Sequence, residues 1–153
     1  MLVTVTASGA ELGAARELFL EYAKSLGFSS CFQGFDKELA TLPGEYAAPL
    51  GRLLLAKARG EVAGCVGVRP LDDKGCEMKR LYVRPSCRGT GLGRRLAESA
   101  IDFAREASYR KMYLDTLPAM KEARALYSAL GFTPCAPYYD NACAGSDCFD
   151  LKL

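Results

Sequence analysis

The sequence predicts a three-layer α/β domain with a mixed, mostly antiparallel central sheet flanked by helices. Strand-like and helical hydrophobic patterns alternate along the chain, and three strand patterns between Leu53 and Val83 are separated only by short turns. Strands joined this closely pair antiparallel, and the helices before and after them must bury their apolar sides against the sheet. The chain of 153 residues has the usual size of one domain, so we expect a single domain over residues 1–153.

The N-terminal region is predicted to form a strand and two helices. Leu2 to Thr6 is rich in β-forming residues. Glu11 to Leu26 repeats apolar residues with a helical period, and a short helix is expected from Asp36 to Thr41 with Asp36 as its N-cap. The prolines and the glycine within Leu42 to Pro49 predict a loop before the sheet continues.

The middle of the chain is predicted to form the antiparallel meander. Leu53 to Arg59 and Val62 to Arg69 have strand patterns, and the Gly60-Glu61 pair between them indicates a hairpin turn. Asp72-Asp73-Lys74-Gly75 marks the next turn. Glu77 to Val83 then has the pattern of the third strand, which completes the meander.

The C-terminal region is predicted to alternate helices and strands. Lys111 to Asp115 has a strand pattern, and Ala119 to Leu130 is a helix that Gly131 ends. The region from Phe132 onward holds one or two strands, of which Phe149 to Leu153 is the clearer. The helix that precedes the strand at Lys111 carries an apolar stripe formed by Leu92, Leu96, Ala100, Phe103 and Ala107.

Charge and hydropathy exclude several functional classes. The net charge of +2 is too small to indicate a nucleic-acid or anionic membrane surface. No apolar run approaches the roughly 20 residues that span a bilayer, and the N-terminus lacks the basic region of a signal peptide. We therefore expect a cytoplasmic protein with neither nucleic acid nor a membrane as a partner.

The cysteine and histidine content restricts the chemistry. Seven scattered cysteines without a Cys-x-x-Cys pair fit reduced thiols, and Cys65 and Cys76 lie in strand patterns as expected core residues. Cys143 and Cys148 have a loose spacing, and the chain has no histidine to complete a zinc site, so no metal is expected. The absence of histidine also excludes a Ser-His-Asp or Cys-His centre. Any proton transfer must use another side chain, the backbone or water.

The most informative segment lies between the third strand of the meander and the next helix. It reads Arg88-Gly89-Thr90-Gly91-Leu92-Gly93. Glycines let the backbone approach a ligand closely, and a helix N-terminus offers free N–H groups with a partial positive charge. A loop of this composition at this place is suited to holding a pyrophosphate.

Two common phosphate-binding motifs fit this segment poorly. A Walker A loop requires a lysine and a hydroxyl residue where Arg94 and Arg95 follow Gly93. A dinucleotide-binding fingerprint would find an acid at a suitable distance in Asp115, but Arg94 stands in place of its third glycine. The intervening residues 84–87 also separate the loop from its strand, which that fingerprint does not allow.

A third motif, Arg-x-x-Gly-x-Gly, is satisfied by Arg88, Gly91 and Gly93. It resembles the acyl-CoA pyrophosphate loop of the GCN5-related N-acetyltransferase (GNAT) family. The resemblance extends to Glu77–Val83, which is similar to the family's fourth strand. It also extends to Ala123–Phe132, which is similar to the family's later Ala-x-x-Leu-Tyr-x-x-x-Gly-Phe helix. The blocks follow the family's order and lie in the C-terminal half of the chain.

The resemblance implies an acetyl-CoA-dependent N-acetyltransferase that moves the acetyl group directly to a primary amine of a small molecule or amino acid. It implies Tyr127 as the acid that protonates the leaving thiolate and Glu77 as the general base, directly or through water. Core packing of Tyr127 and an ion pair of Glu77 with Lys79 or Arg69 are the alternative roles. The implied cosubstrate-binding residues are Leu81, Tyr82 and Val83, whose backbone would pair with the pantetheine arm, and the loop residues Arg88, Gly89, Thr90, Gly91, Leu92 and Gly93.

The sequence departs from the family pattern at one cofactor-contacting position, and the resemblance also indicates where the acceptor would bind. Met120 stands where the family often has an asparagine that contacts the cofactor, so this contact must come from elsewhere. Phe28 to Leu50 would cover the acceptor site. Its expected contributions are apolar walls from Phe32, Phe35 and Tyr46, acidic groups from Asp36, Glu38 and Glu45, and a second cluster from Pro137 to Asn141.

Other functions stay open at the level of sequence. One is a non-catalytic domain that binds or senses acyl-CoA, and another is acetylation of a peptide or protein amine. A nucleotide-binding oxidoreductase module is disfavoured by Arg94 and by the chain length. The presence of both Glu77 and Tyr127 favours an enzyme, and a homodimer is left open.

Overall fold

The computed structural model describes residues 1–27, 32, 34–138 and 145–153. The α-helices of this part are α1 (Leu12–Ser25), α2 (Phe35–Thr41), α3 (Leu92–Glu106) and α4 (Lys121–Ala129). The strands are β1 (Leu2–Thr4), β2 (Arg52–Ala58), β3 (Glu61–Pro70), β4 (Gly75–Val83), β5 (Lys111–Thr116), β6 (Thr133–Cys135) and β7 (Asp147–Lys152). Within the described residues these strands form one sheet in the order β1-β2-β3-β4-β5-β7-β6.

Strand β2 demonstrates the layering of the domain. Leu53 and Leu55 pack with α1 and α2 in one core, whereas Leu54 and Ala56 pack with α3 and α4 in the other. Because successive strand residues point to opposite faces, helices cover both sides of the sheet. The predicted three-layer α/β fold with a mixed, mostly antiparallel sheet is confirmed.

The sheet is continuous except between β4 and β5, its one parallel pair in the described part of the chain. Pairing there is confined to Gly75, Cys76 and Glu77, which match Lys111, Met112 and Tyr113. The two strands diverge beyond Glu77, while β4 continues to Val83 alongside β3. A V-shaped notch therefore opens inside the sheet at the C-terminal ends of β4 and β5.

A β-bulge lies on β4 at the edge of this notch. The β3–β4 register passes from Cys65 opposite Tyr82 to Gly67 opposite Lys79, so β4 has one residue more than β3 in this interval. Arg80 takes a positive φ of 61° there, which is unusual for a residue other than glycine. A bulge bends its strand, and this one lies in the part of β4 that no longer pairs with β5.

Two local predictions need correction. The β2–β3 turn consists of Arg59 and Gly60 rather than Gly60-Glu61, since Glu61 already pairs in β3. Both turn residues have positive φ, 53° and 80°, as a type I′ hairpin turn requires. Asp36 is not the N-cap of α2, because the helix begins one residue earlier behind Gly34 and has no side-chain cap.

Cys65 and Cys76 are buried in the two cores, as expected, and their pKa values are raised by burial. No helix in the described ranges combines the length and the apolarity needed to cross a membrane.

Candidate functional site

A cleft of about 630 Å³ occupies the mouth of the notch. Its walls are the outer edge of β4, the loop before α3, the start of α4 and the end of α1. The lining residues are Tyr22, Ser25, Leu26, Leu81, Tyr82, Val83, Cys87, Arg88, Gly89, Gly91, Leu92, Gly93, Ala119, Met120, Lys121, Glu122, Ala123 and Leu126. The cleft thus brings together every predicted cosubstrate-binding residue except Thr90.

The glycine-rich loop presents its backbone to this cleft. Gly89 and Gly91 have positive φ values of 79° and 80°, and a Cβ atom added at either would meet nothing within 4 Å. Gly91 directly precedes α3, whose N-terminus has no side-chain cap and no acidic residue in its first turn. The first N–H groups of α3 are therefore left for an external acceptor. This open, uncapped helix end fits a pyrophosphate group.

Arg88 and Thr90 hold the loop in shape. The Arg88 Nε donates a hydrogen bond to the Val83 carbonyl at 2.9 Å, and the Thr90 hydroxyl donates to the Cys87 carbonyl at 2.7 Å. The Arg88 guanidinium also lies 5.8 Å from the centre of the Tyr82 ring. These contacts support a role for Arg88 in ordering the loop.

The outer edge of β4 offers backbone groups to the same cleft. Beyond Glu77 no described residue of β5 pairs with β4, although Leu81, Tyr82 and Val83 all line the cleft. Leu81 and Val83 pack toward α3, and Tyr82 packs on the opposite face beneath α1. Unpaired strand edges readily pair with another extended chain, so this edge suits a linear amide-containing ligand.

A small hollow of about 40 Å³ continues the cleft toward the base of the notch. Tyr22, Leu26, Leu81 and Met120 line both spaces. The hollow adds Lys79, Asp115, Thr116, Tyr127 and Ser146 to the wall. Because the sheet is open at this point, Tyr22 from one helical layer and Tyr127 from the other reach the same space.

Tyr127 is both a core aromatic and a residue of the hollow. Its side chain is 6% exposed, and its ring meets the Phe132 ring edge-on at 5.8 Å. Burial raises the pKa of the Tyr127 hydroxyl, and Tyr22 and Asp115 raise it further. The hydroxyl therefore stays protonated and able to donate at any ordinary pH.

Glu77 lies in the ion-pair network at the base of the notch. It is 1% exposed, its Oε1 accepts from Arg69 Nε at 2.9 Å, and its Oε2 lies 3.8 Å from Lys79 Nζ. The Tyr138 hydroxyl donates to the same Oε2 at 2.5 Å. Both ion pairs named as alternatives from the sequence are thus present, and Glu77 lines neither the cleft nor the hollow.

Sequence reasoning assigned no catalytic role to two groups that do line the hollow. Asp115 reaches it from β5 and forms an ion pair with Lys79 Nζ at 3.9 Å. The Ser146 hydroxyl lies there buried without a hydrogen-bond partner among the described residues. The sequence signals for Asp115 were its place near the end of a strand and its distance from the glycine-rich loop, which was considered only for the dinucleotide-binding fingerprint. Ser146 carried none.

The predicted acceptor region differs from expectation. Phe35 and Tyr46 are core residues, whereas Phe32, which is buried beside them, is the one of the three that lines the hollow. Glu38 receives two hydrogen bonds from Arg80, at 2.9 and 3.1 Å. Glu45 pairs with Arg69 at 3.0 Å. These two carboxylates are therefore neutralised by arginines rather than available to attract an amine. Residues 28–31, 33 and 139–141 of the predicted acceptor clusters lie outside the described residues.

Comparisons with known proteins agree with this geometry. The sequence model of the Acetyltransferase (GNAT) family matches residues 14–132. An uncharacterized N-acetyltransferase of Schizosaccharomyces pombe is 42% identical over 126 residues, which cover 81% of this chain and 77% of the relative. An uncharacterized N-acetyltransferase of Escherichia coli is 38% identical over 100 residues, covering 63% and 60% of the two chains.

Solved structures share the fold at low sequence identity. An acetyltransferase from Streptococcus agalactiae superposes with a TM-score of 0.83 at 20% identity, covering 100% of this chain and 98% of the other. A protein from Elizabethkingia anophelis, whose structure contains acetyl-CoA, has a TM-score of 0.70 at 22% identity, covering 100% and 97%. These two likenesses concern the fold alone.

Proposed function

Since the chain belongs to the GNAT family of acetyltransferases, we propose that it moves the acetyl group of acetyl-CoA directly to a primary amine of a small molecule or amino acid. The observation that carries the proposal is the notch between β4 and β5. It leads from an uncapped helix N-terminus, past an unpaired strand edge, to a hollow that contains a buried tyrosine.

Binding is proposed to use backbone groups more than side chains. Acetyl-CoA would supply the activated acetyl group as a thioester. The N–H groups at the start of α3, together with Gly89 and Gly91, would hold the pyrophosphate. Leu81, Tyr82 and Val83 would pair outer backbone groups of β4 with the extended arm, apart from the Val83 carbonyl, which already accepts from Arg88. No side chain at position 120 is needed for this pairing, which accommodates Met120 in place of the family's asparagine.

The residues of the hollow are proposed to accept one proton from the amine and to donate one to the leaving sulfur. The acceptor amine must lose a proton as its C–N bond forms, and the leaving sulfur must gain a proton or a hydrogen bond as the C–S bond breaks. Tyr127 is suited to the sulfur, because its hydroxyl remains protonated. The backbone N–H near Leu81 is suited to the carbonyl oxygen that gains charge.

The amine proton has two candidate acceptors. Glu77 keeps the role that the resemblance implies, acting through water, but three donors already surround its carboxylate. Asp115 lines the hollow itself and is linked to Glu77 through Lys79, which lies 3.8 and 3.9 Å from the two carboxylates. We include Asp115 in the proposal because, unlike Glu77, it lines the same hollow as Tyr127. A direct transfer needs no covalent enzyme intermediate, so the absence of histidine is no obstacle.

The other functions are kept as outcomes of the tests. A non-catalytic acyl-CoA-binding domain would use the cleft without turnover, and an enzyme acting on a peptide amine would need more room than a small acceptor. A cytoplasmic location is also part of the proposal, supported by the free thiols of the cysteines in the described ranges.

A ligand screen by thermal unfolding tests the proposal first. A ligand at a hundredfold excess over its Kd stabilises the fold by about 2.7 kcal/mol, which raises Tm by roughly 5–10 °C for a chain of this size. We expect this shift with acetyl-CoA and none with NAD or ATP. Stabilisation by NAD but not by acetyl-CoA would refute the cosubstrate. Turnover is then measured by mass spectrometry of acetylated products from a panel of amines, amino acids and short peptides. Acetyl-CoA binding without any acetylated product would favour the sensing domain.

A further inference from the structure

A separate cavity of about 410 Å³ lies on the α2 side of the sheet. It is bounded by α2, the short 3₁₀ helix Gly44–Tyr46 and the end of β3. None of its lining residues belongs to the cleft or to the hollow. Its polar lining residues are Lys37, Glu38, Thr41, Glu45, Tyr46 and Arg69.

Tyr46 lines this cavity and carries an unsatisfied hydroxyl. The side chain is 2% exposed, and its hydroxyl has no hydrogen-bond partner within the described part of the chain. The ring lies directly on β3 at Gly67, where an added Cβ atom would come within 2.6 Å of Tyr46 Cε1. Buried polar groups are nearly always hydrogen-bonded. A glycine in the middle of a strand thus gives room to a phenol whose hydroxyl lacks a protein partner.

The second unsatisfied hydroxyl is at the other end of the polar network. Among the described residues, Tyr46 Oη and Ser146 Oγ are the two buried side-chain oxygens without a partner. Tyr46 lines the α2 cavity, and Ser146 lines the hollow beside Tyr127. Arg69, Glu77 and Lys79 connect the two spaces through contacts of 2.9 and 3.8 Å. The two spaces that these hydroxyls border therefore lie on either side of one ion-pair network.

Arg69 indicates which chemistry the α2 cavity would bind. Its Nε is held by the buried Glu77 at 2.9 Å, and its Nη1 donates to Glu45 at 3.0 Å. Its Nη2 makes no hydrogen bond to any described residue. Glu45 is 67% exposed, and such surface ion pairs contribute little. Glu77 therefore fixes the guanidinium while the Glu45 carboxylate, which is easily displaced, occupies its outer edge.

We propose that the acceptor amine carries a carboxylate and that this carboxylate binds in the α2 cavity. It would displace Glu45 from Arg69 and accept a hydrogen bond from the Tyr46 hydroxyl. A planar carboxylate matches the fork of a guanidinium, and the exposed Lys37 adds positive charge. The inference rests on the proposed function, because it names the acceptor class of the same site. The amine and the carboxylate must be separated by several bonds to reach both spaces.

Matched acceptors test this proposal. Each pair consists of an amino acid and the amine left by its decarboxylation, such as lysine with cadaverine and 6-aminohexanoate with pentylamine. The measured quantity is the ratio of kcat/KM between the two members. We expect wild type to favour the carboxylate member, mainly through a lower KM. Tyr46→Phe should lower that ratio about tenfold, the size of one hydrogen bond to a charged group.

A second variant should act in the opposite direction. Glu45→Ala frees Arg69 and should raise the ratio roughly two- to fivefold, because only a surface ion pair is lost. Glu61→Ala is the matched control, since it removes the same charge at an exposed position at the start of β3 and should leave the ratio unchanged. Tyr46→Phe should have a Tm at least equal to that of wild type, because its hydroxyl has no partner to lose. A fall in Tm would contradict this reading of the hydroxyl.

Calorimetry separates failure of this inference from failure of the proposed function. 6-Aminohexanoate is titrated onto the free protein, which requires neither acetyl-CoA nor turnover. Binding that Tyr46→Phe weakens and Glu45→Ala strengthens supports the carboxylate site even if no acetylated product forms. Equal kcat/KM for both members of each pair, or no binding of 6-aminohexanoate, overturns the inference and leaves the acetyltransferase proposal standing.

Discussion

Two glycines at the start of α3 allow the binding role of the loop to be separated from its structural role. Gly91 has a φ of 80°, so alanine there is strained even though a Cβ atom would meet nothing within 4 Å. Gly93 lies inside α3 with ordinary helical geometry, and its Cβ atom would lie 3.6 Å from Val83 Cγ2 and 4.0 Å from Leu126 Cδ2. Alanine fits at position 93, but its methyl group would lie between two residues of the cleft wall.

The two substitutions should change stability in opposite directions. An alanine held in the left-handed region costs about 1–2 kcal/mol, so Gly91→Ala should lower Tm by roughly 2–8 °C. Gly93→Ala should raise stability by about 0.4–1 kcal/mol, because the unfolded chain loses freedom at a position that suits alanine. Both should weaken CoA binding by about 10–100-fold, the range of one lost hydrogen bond to a charged group. In Gly91→Ala, backbone strain displaces the N–H groups of the loop. In Gly93→Ala, the added methyl group narrows the cleft.

Two glycines remote from the cleft serve as matched controls. Gly60 has the same φ of 80° in the β2–β3 turn, and Gly13 is a helical glycine in α1 with nothing within 4 Å of an added Cβ atom. Gly60→Ala should reproduce the loss of stability at position 91, and Gly13→Ala the gain at position 93, both with CoA affinity unchanged. Affinity is measured by calorimetry and stability by thermal unfolding. If all four variants bind CoA as wild type does, the loop does not hold the pyrophosphate.

Three further predictions concern single groups. Tyr127→Phe should lower kcat by roughly 10²–10⁴-fold with little change in the KM for acetyl-CoA, because the ring still packs against Phe132; near-normal kcat in steady-state assays would leave Tyr127 a packing residue. Asp115→Asn should reduce kcat more than Glu77→Gln does, because of these two carboxylates only Asp115 lines the hollow. Glu77→Gln should mainly lower Tm. A larger loss of kcat in Glu77→Gln would identify Glu77 as the general base instead. Burial raises the pKa of Tyr22 from 10.0 to about 12, so the folded state holds this proton more tightly. Its contribution to stability is complete below pH 10 and is lost as pH rises toward 12, and urea unfolding should show a smaller loss over that window in Tyr22→Phe.

The sequence was most informative where backbone geometry demands particular residues. The loop at 88–93 was recognised because only glycines combine close approach with positive φ, and two of its three glycines have that conformation. The meander and the helix after it followed from hydrophobic periods and turn residues. Strand β6 was harder, since its three residues include Pro134 and its pairing with β7 depends on tertiary contacts.

The acceptor side was poorly predicted because it depends on which charges meet in space. Glu38 and Glu45 are separated from Arg80 and Arg69 by many residues, and no local pattern indicates that they pair. The bulge that gives Arg80 its positive φ has no glycine to reveal it. Tyr46 looked like a loop aromatic because its core position depends on Gly67, 21 residues later and in another element. The hairpin turn was shifted by one residue because arginine is an unusual choice for positive φ.

The short junction between β4 and β5 also has a consequence for the dynamics of the protein. Three residue pairs join β4 and β5 at one end, and no described pair joins the two strands beyond Glu77. Hydrogen exchange along the outer edge of β4 should therefore form a gradient, slow beside Glu77 and fast at Leu81 to Val83. An extended molecule bound between β4 and β5 would hold the two strands together. Exchange at Leu81 to Val83 would then slow, so the gradient along β4 would flatten. β4 and β5 would then move together, so that the acceptor side of the notch becomes rigid only when acetyl-CoA is bound.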